Sequence, residues 1–87
     1  MTEDELRTAV REFIRKNFLF DAATPLGNDQ SLLGSGVVDS TGILELITYL
    51  EETSHVKFAD NELVADNFDT VDRIAAFVTH KLAQPKA

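Results

Sequence analysis

"GSGVVDSTGILELITYLEE", residues 34–52, passes from a glycine-rich loop into a strongly patterned helix at Asp39-Ser40. Beyond that point Ile43, Leu46, Ile47 and Leu50 recur at i, i+3, i+4 and i+7, which is one apolar helical face. Asp39 suits the N-cap, because its carboxylate can accept from the free N–H groups of the first turn. A helix is expected over residues 40–53. Gly42 in its first turn disfavours it by about 1 kcal/mol relative to Ala, so the helix leans on its cap and its packing.

The same pattern recurs on both sides. Leu6, Val10, Phe13 and Ile14 give a helix over 3–16, with Thr2 as cap, Glu3, Asp4 and Glu5 at its positive end, and Arg15 and Lys16 at its negative end. Val71, Ile74, Ala75, Val78 and Leu82, with Phe77 at the edge, give a helix over 71–83, capped by Thr70 and stopped by Pro85. Lys81 falls in its last turn, and the tail 84–87 is expected to fray. A short helix is expected over 61–65, capped by Asp60 and anchored by Phe58, Leu63 and Phe68.

Residues 17–39 are broken by Pro25, Gly27, Asn28, Asp29, Gly34 and Gly36. They also hold Phe18, Leu19, Phe20, Leu26, Leu32 and Leu33, too many apolar side chains for a free linker. An ordered loop pinned to the core is expected, and ordered loops this long are commonly functional. No stretch alternates in the manner of a strand. The expectation is a single all-α domain over 1–87, a four-helix bundle with a long first loop and a short third helix.

Composition narrows the function. Apolar residues make up 44% of the 87, enough for a folded core. There is no cysteine, hence no disulfide, thiolate nucleophile or thiolate metal site. No run approaches the ~20 apolar residues of a membrane span. Met1-Thr-Glu-Asp-Glu is acidic, unlike a signal peptide, so the cytoplasm is the expected location. The net charge of −7 is concentrated: residues 17–69 carry ten carboxylates against Lys57 alone. Such a surface repels nucleic acid and anionic lipid and attracts basic protein surfaces.

The usual chemistry is missing. Neither His55 nor His80 is followed by a metal-ligating residue at i+3 or i+4. The acidic run from Asp60 fails as a calcium loop, since Ala65 stands where the sharp turn needs Gly. No specific metal site is expected. There is no Gly-x-Ser-x-Gly elbow, and no base is placed to activate a serine, so the chain is expected not to be an enzyme. What stands out is Ser40, at a helix start where backbone N–H groups favour a phosphate.

These residues resemble the acyl carrier protein family nearly end to end. Leu32-Leu33-Gly34-Ser35-Gly36-Val37-Val38-Asp39-Ser40 is similar to the family's loop and Asp-Ser attachment site. Ile43-Leu44-Glu45-Leu46-Ile47 and Leu50-Glu51-Glu52 resemble its second helix, and Asn67-Phe68-Asp69-Thr70-Val71 with Ile74, Phe77 and Val78 its last. The resemblance implies a 4′-phosphopantetheine arm, covalently attached from coenzyme A to Ser40, that carries acyl or aminoacyl thioesters. It implies a phosphopantetheinyl transferase, an acyl- or aminoacyl-activating ligase and downstream acyl-transferring enzymes as partners of a monomeric carrier. Asp39 would serve both cap and transferase recognition; Thr41, Leu44, Glu45, Thr48, Glu51 and Glu52 would meet partners. Thr41 departs from the family's usual Leu, and Thr48 from a larger apolar residue. The Gly-Gly-x-Ser pattern of carriers embedded in synthetases is absent. A free-standing carrier in a specialised pathway is therefore favoured over housekeeping fatty-acid synthesis. The competing reading is an unmodified acidic helical module that docks a basic partner and needs no serine.

Overall fold

The computed structural model describes residues 2–19 and 26–83. Four α-helices follow in order: α1 (Glu3–Asn17), α2 (Ser40–Ser54), α3 (Ala65–Phe68) and α4 (Val71–Ala83), with a 3-10 turn at Asp60–Glu62 before α3. No strand occurs among the described residues. The all-helical expectation holds. The expected positions of Phe20 and Pro25 in the loop, of Pro85, and of the fraying tail lie outside the described residues.

α1 starts on a reciprocal cap. The Glu5 N–H donates to Thr2 Oγ1 at 3.1 Å, and the Thr2 N–H donates back to Glu5 Oε1 at 2.9 Å. Leu6, Val10 and Ile14 are buried on its inner face. α1 packs most extensively against α4, which contributes Val71, Ile74, Ala75 and Val78. Arg7 ties the two together: its Nε donates to Asp72 Oδ1 at 2.8 Å, while its other nitrogens hold Glu3 and Asp4. Thr70 caps α4 as expected, accepting from the Arg73 N–H at 3.0 Å.

α2 adds Leu46, Ile47 and Leu50 to the same core. Phe13 and Tyr49 stack between α1 and α2 with ring centroids 4.5 Å apart. α2 ends at His55, which takes the left-handed conformation (φ 58°) usually given to Gly.

The first loop is pinned as expected, though unevenly. Leu26, Leu32 and Val38 are buried, Phe18 and Leu19 pack half-buried against the core, and Leu33 stands out into solvent. Arg11 holds the loop to α1 by donating to the Leu26 carbonyl and to Asn28 Oδ1.

The short helix expected at 61–65 is corrected by the structure. Asp60–Glu62 is a single 3-10 turn, Leu63 makes a tight turn (φ −83°, ψ 63°), and the chain restarts as α3 at Ala65. The reason is that Glu62 is committed elsewhere. Its carboxylate accepts from the Ala59 N–H at 2.7 Å and from Lys81 Nζ at 2.8 and 3.0 Å. Its carbonyl accepts from Val64 N and from Asn67 Nδ2. A helix running on from Asp60 would break those bonds. The restart brings Phe68 inward, where it meets Phe58 and Phe77 edge to face. Leu63, expected as a core anchor, is exposed, and so is Leu82 on α4.

Candidate functional site

The site is assembled by the segment from Ser31 to Gly42. Leu32 is fully buried, and its carbonyl accepts the Val38 N–H at 3.2 Å, closing the loop into a compact turn. Gly36 takes φ +79° within that turn, a conformation that disfavours a side chain. Val38, also buried, then delivers Asp39 in extended backbone (φ −93°, ψ −179°) to the start of α2.

Asp39 Oδ1 accepts the Gly42 N–H at 2.7 Å, and the Asp39 carbonyl accepts from Ile43 N at 3.0 Å. The cap is complete without the Ser40 side chain. Ser40 is exposed as the first helical residue, at the positive end of the α2 dipole. Gly42 is buried because Phe18 and Val38 press on the helix start: a Cβ there would lie 2.9 Å from Phe18 Cε1 and 2.7 Å from Val38 Cγ1.

Ser40 opens onto an apolar crevice of about 170 Å³ between α2 and the Leu63–Ala65 segment, with Phe68 also in its lining. Leu33 (38% exposed), Leu44 (60%), Leu63 (38%) and Val64 (47%) all line it. These are four of the five exposed large apolar side chains among the described residues, gathered round one serine. Scattered exposed leucines carry no message, but a contiguous apolar patch marks a surface made for contact. On the other side of the helix start, Asp39, Thr41 and Glu45 border a more polar cleft with Asn17 and Gly36.

The residues expected to meet partners are placed as follows. Thr41, Leu44, Glu45, Thr48 and Glu52 are exposed on α2. Thr48 Oγ1 donates back to the Leu44 carbonyl at 3.1 Å. Glu51 turns away and is half-buried, accepting the Phe58 N–H at 3.1 Å, so it holds the segment after α2. No group of three or more His, Asp or Glu side chains suited to a metal ion occurs among the described residues. None of their helices is long and apolar enough to cross a membrane.

Asp69 has a role that the sequence does not announce, where it reads only as part of the run leading into α4. Its carbonyl and carboxylate bind Ser31, Leu32 and Leu33, far away in sequence. No local signal could reveal that pairing. The Glu62–Lys81 pair is hidden from the sequence for the same reason. Lys81 is drawn inward and also stands over the Phe58 and Phe77 rings, at 5.8 and 6.0 Å from their centroids.

A small helical bundle that presents a serine at a capped helix start, beside an apolar crevice, has the architecture of a carrier. Comparison with known proteins carries this further. The D-alanyl carrier protein of Streptococcus sanguinis (strain SK36) is 31% identical over 75 residues, spanning 86% of this chain and 92% of that protein. Those of Streptococcus pyogenes serotypes M1 and M5 (strain Manfredo) are each 33% identical over 69 residues, spanning 79% of this chain and 85% of theirs. The chain belongs to this family of stand-alone carrier proteins of the acyl-carrier type, and it is a carrier rather than a catalyst. No family model matches it. Among solved structures, a chain in "Crystal structure of FAD-dependent dehydrogenase" superposes with a TM-score of 0.69 at 28% identity. The match covers 79% of this chain and 97% of that one, so the two are of similar size.

Proposed function

We propose that Ser40 carries a 4′-phosphopantetheine arm and that the protein presents an aminoacyl group on it as a thioester. The observation that carries this reading is Ser40 itself: exposed, outside the cap's hydrogen bonds, and at the mouth of an apolar crevice. The residues present fit the arm. Asp39 holds the helix start without using the serine, and the dipole of α2 favours the phosphodiester that would form on Ser40 Oγ. When attached, the arm supplies the thiol that this cysteine-free chain lacks. In loading, Ser40 Oγ gives up its proton and bonds to the phosphorus that bears the pantetheine in coenzyme A, the P–O bond of the pyrophosphate breaks, and 3′,5′-ADP leaves with the bonding pair. Leu33, Leu44 and Val64 then offer an apolar surface next to the attachment point.

The partners that follow are a phosphopantetheinyl transferase, a ligase that activates the cargo, and an enzyme that takes it onward. The names of the relatives favour D-alanine as the cargo. A second reading has a carried aminoacyl group oxidised by a separate flavin enzyme. It is favoured by the likeness to a chain solved in the crystal structure of an FAD-dependent dehydrogenase.

The test is intact mass before and after incubation with coenzyme A and a broad-specificity transferase, with Ser40→Ala alongside. One phosphopantetheine increment, absent from the variant, is expected. The loaded protein is then offered D-alanine, L-alanine and other amino acids with ATP and candidate ligases. A D-alanyl increment supports the first reading. Selective loading of another amino acid, followed by a mass loss of two hydrogens with a flavin dehydrogenase, supports the second. Absence of any increment on the wild type would leave the unmodified interaction module.

A further inference from the structure

We propose that Asp69, at the corner between α3 and α4, is a positioning residue for the loading of Ser40. The proposal rests on the reading of Ser40 as the attachment site. The hydrogen bonds that the Asp69 carbonyl and carboxylate accept among the described residues come from Ser31, Leu32 and Leu33, not from Ser40 or α2. It acts through the loop that delivers them.

Three bonds run from this one residue to three consecutive residues. The Asp69 carbonyl accepts from Leu32 N at 2.6 Å, Oδ1 accepts from Leu33 N at 3.1 Å, and Oδ2 accepts from the Ser31 hydroxyl at 2.8 Å. Ser31 Oγ in turn accepts from Gly34 N at 2.9 Å. The segment Ser31–Gly34 is thus clasped to the start of α4. An acidic residue just before a helix would ordinarily cap it. Here Thr70 performs that task, which leaves both Asp69 oxygens to the loop.

The clasp reaches the serine by two short routes. Leu32, bonded at its N–H to the Asp69 main-chain carbonyl and flanked by the Ser31 and Leu33 that the carboxylate holds, holds Val38 by its carbonyl, and Val38 precedes the Asp39 cap and abuts Gly42. Leu33, held by Oδ1, is one wall of the crevice onto which Ser40 opens. Phe68, the neighbour of Asp69, belongs to the same crevice lining. Asp69 therefore fixes α2, the loop and the crevice in one register. Without it the transferase would have to order the loop on binding, and that ordering subtracts from affinity rather than from the chemical step.

The experiment measures transfer from coenzyme A to the full-length apo-protein by a broad-specificity transferase, for wild type, Asp69→Ala, Asp69→Asn, Ser31→Ala and Arg7→Ala. Asp69→Ala should raise KM for the carrier about tenfold with kcat little changed, the scale expected when the equivalent of about one loop residue must be ordered on binding. Asp69→Asn keeps an acceptor for Leu33 N and should recover most of the loss. Ser31→Ala should move KM in the same direction. Arg7→Ala breaks the side-chain tie between α1 and α4, leaves every Asp69 bond and the Asp72 N–H bond to the Asn28 carbonyl in place, and should lower Tm without moving KM. Amide exchange in Asp69→Ala should accelerate at Leu33, which loses its acceptor, and at Gly34, bonded through Ser31, more than at Leu32, whose main-chain acceptor remains, and not in α1.

A wild-type KM for Asp69→Ala would overturn the proposal and leave the carrier reading standing. An equal KM rise in Arg7→Ala would also overturn it, by showing a general loss of stability. If Asp69→Ala does not fold, unchanged KM values for both Asp69→Asn and Ser31→Ala overturn it. A wild type that accepts no arm at all, with a known carrier loaded in parallel, takes down the carrier reading and this proposal together.

Discussion

A methyl group added at residue 42 would lie 2.7 Å from Val38 Cγ1 and 2.9 Å from Phe18 Cε1. Alanine is the better helix former by about 1 kcal/mol, so Gly42→Ala would be stabilising on an isolated helix. Here the crowding should win, and we expect a net loss of about 1–3 kcal/mol in stability, read from the urea midpoint. A midpoint at or above wild type would show that Phe18 moves aside freely. At the other end of α2, His55 holds φ 58° as the one non-glycine residue in the left-handed region among the described residues. His55→Gly should stabilise by about 0.5–1 kcal/mol, read as a higher Tm. For Ser40→Ala the expectation is a Tm within a degree or two of wild type together with complete loss of loading; a large fall in Tm would make the serine structural. At this scale the sequence disclosed the cap and its serine, because caps are local. The reason for Gly42 stayed hidden, because the atoms that exclude a side chain there belong partly to Phe18, which lies across the whole first loop.

Between the 3-10 turn and α4, the Glu62–Lys81 pair holds down the segment that forms one wall of the crevice. Donation from Lys81 first, and from the Ala59 N–H second, lowers the Glu62 carboxyl below its ordinary value of 4.5. Glu5 is lowered likewise, by the Thr2 backbone N–H and then its hydroxyl. A carboxyl lowered in the folded state contributes stability that is present above the unfolded value and lost as pH falls through the folded one. Both elements should therefore weaken below about pH 4.5. Glu62→Gln keeps an acceptor for the Ala59 N–H and loses the ion pair. It should lower Tm at pH 7 modestly and flatten the decline of Tm in the acid range below the ordinary carboxyl value. An unchanged acid slope would mean that the pair is screened by solvent. The long helices were legible at this scale because each repeats its apolar spacing over several turns. The short one was not. Its outcome hangs on Glu62, whose partner Lys81 comes from another helix, and the weak propensity of so short a segment cannot outweigh that pair.

Over the whole molecule, the ten carboxylates of residues 17–69 share that segment with Lys57 as its only cation. Arg7, Arg11 and Lys81 make polar bonds across the elements from α1 and α4, yet Glu45 and Glu52 remain exposed on α2. Repulsion of this kind is felt over roughly 30 Å at 0.01 M salt and about 8 Å at 0.15 M. Tm should rise between those two conditions, and magnesium should raise it further at equal ionic strength. A flat response would show the charges already compensated within the fold. The fold class was legible because apolar periodicity reports on each helix separately. The crevice was only partly so: spacing sets Leu44 outside the main stripe, but it makes Leu63 look like a core anchor and Leu33 like a pin. Which side of a leucine faces solvent depends on how the helices are arranged, and spacing does not encode that.

The cap that opens α2 is closed by Asp39 and Gly42, with the serine between them standing aside. The cap therefore places no demand on the hydroxyl of residue 40. If Ser40 is the attachment site proposed above, a copy of this chain lacking the hydroxyl would fold and display the same acidic face to the same partners. It would be a decoy, occupying docking surfaces while delivering nothing. The harm done by losing that hydroxyl is then competitive rather than merely subtractive, and it grows with the abundance of the idle copy.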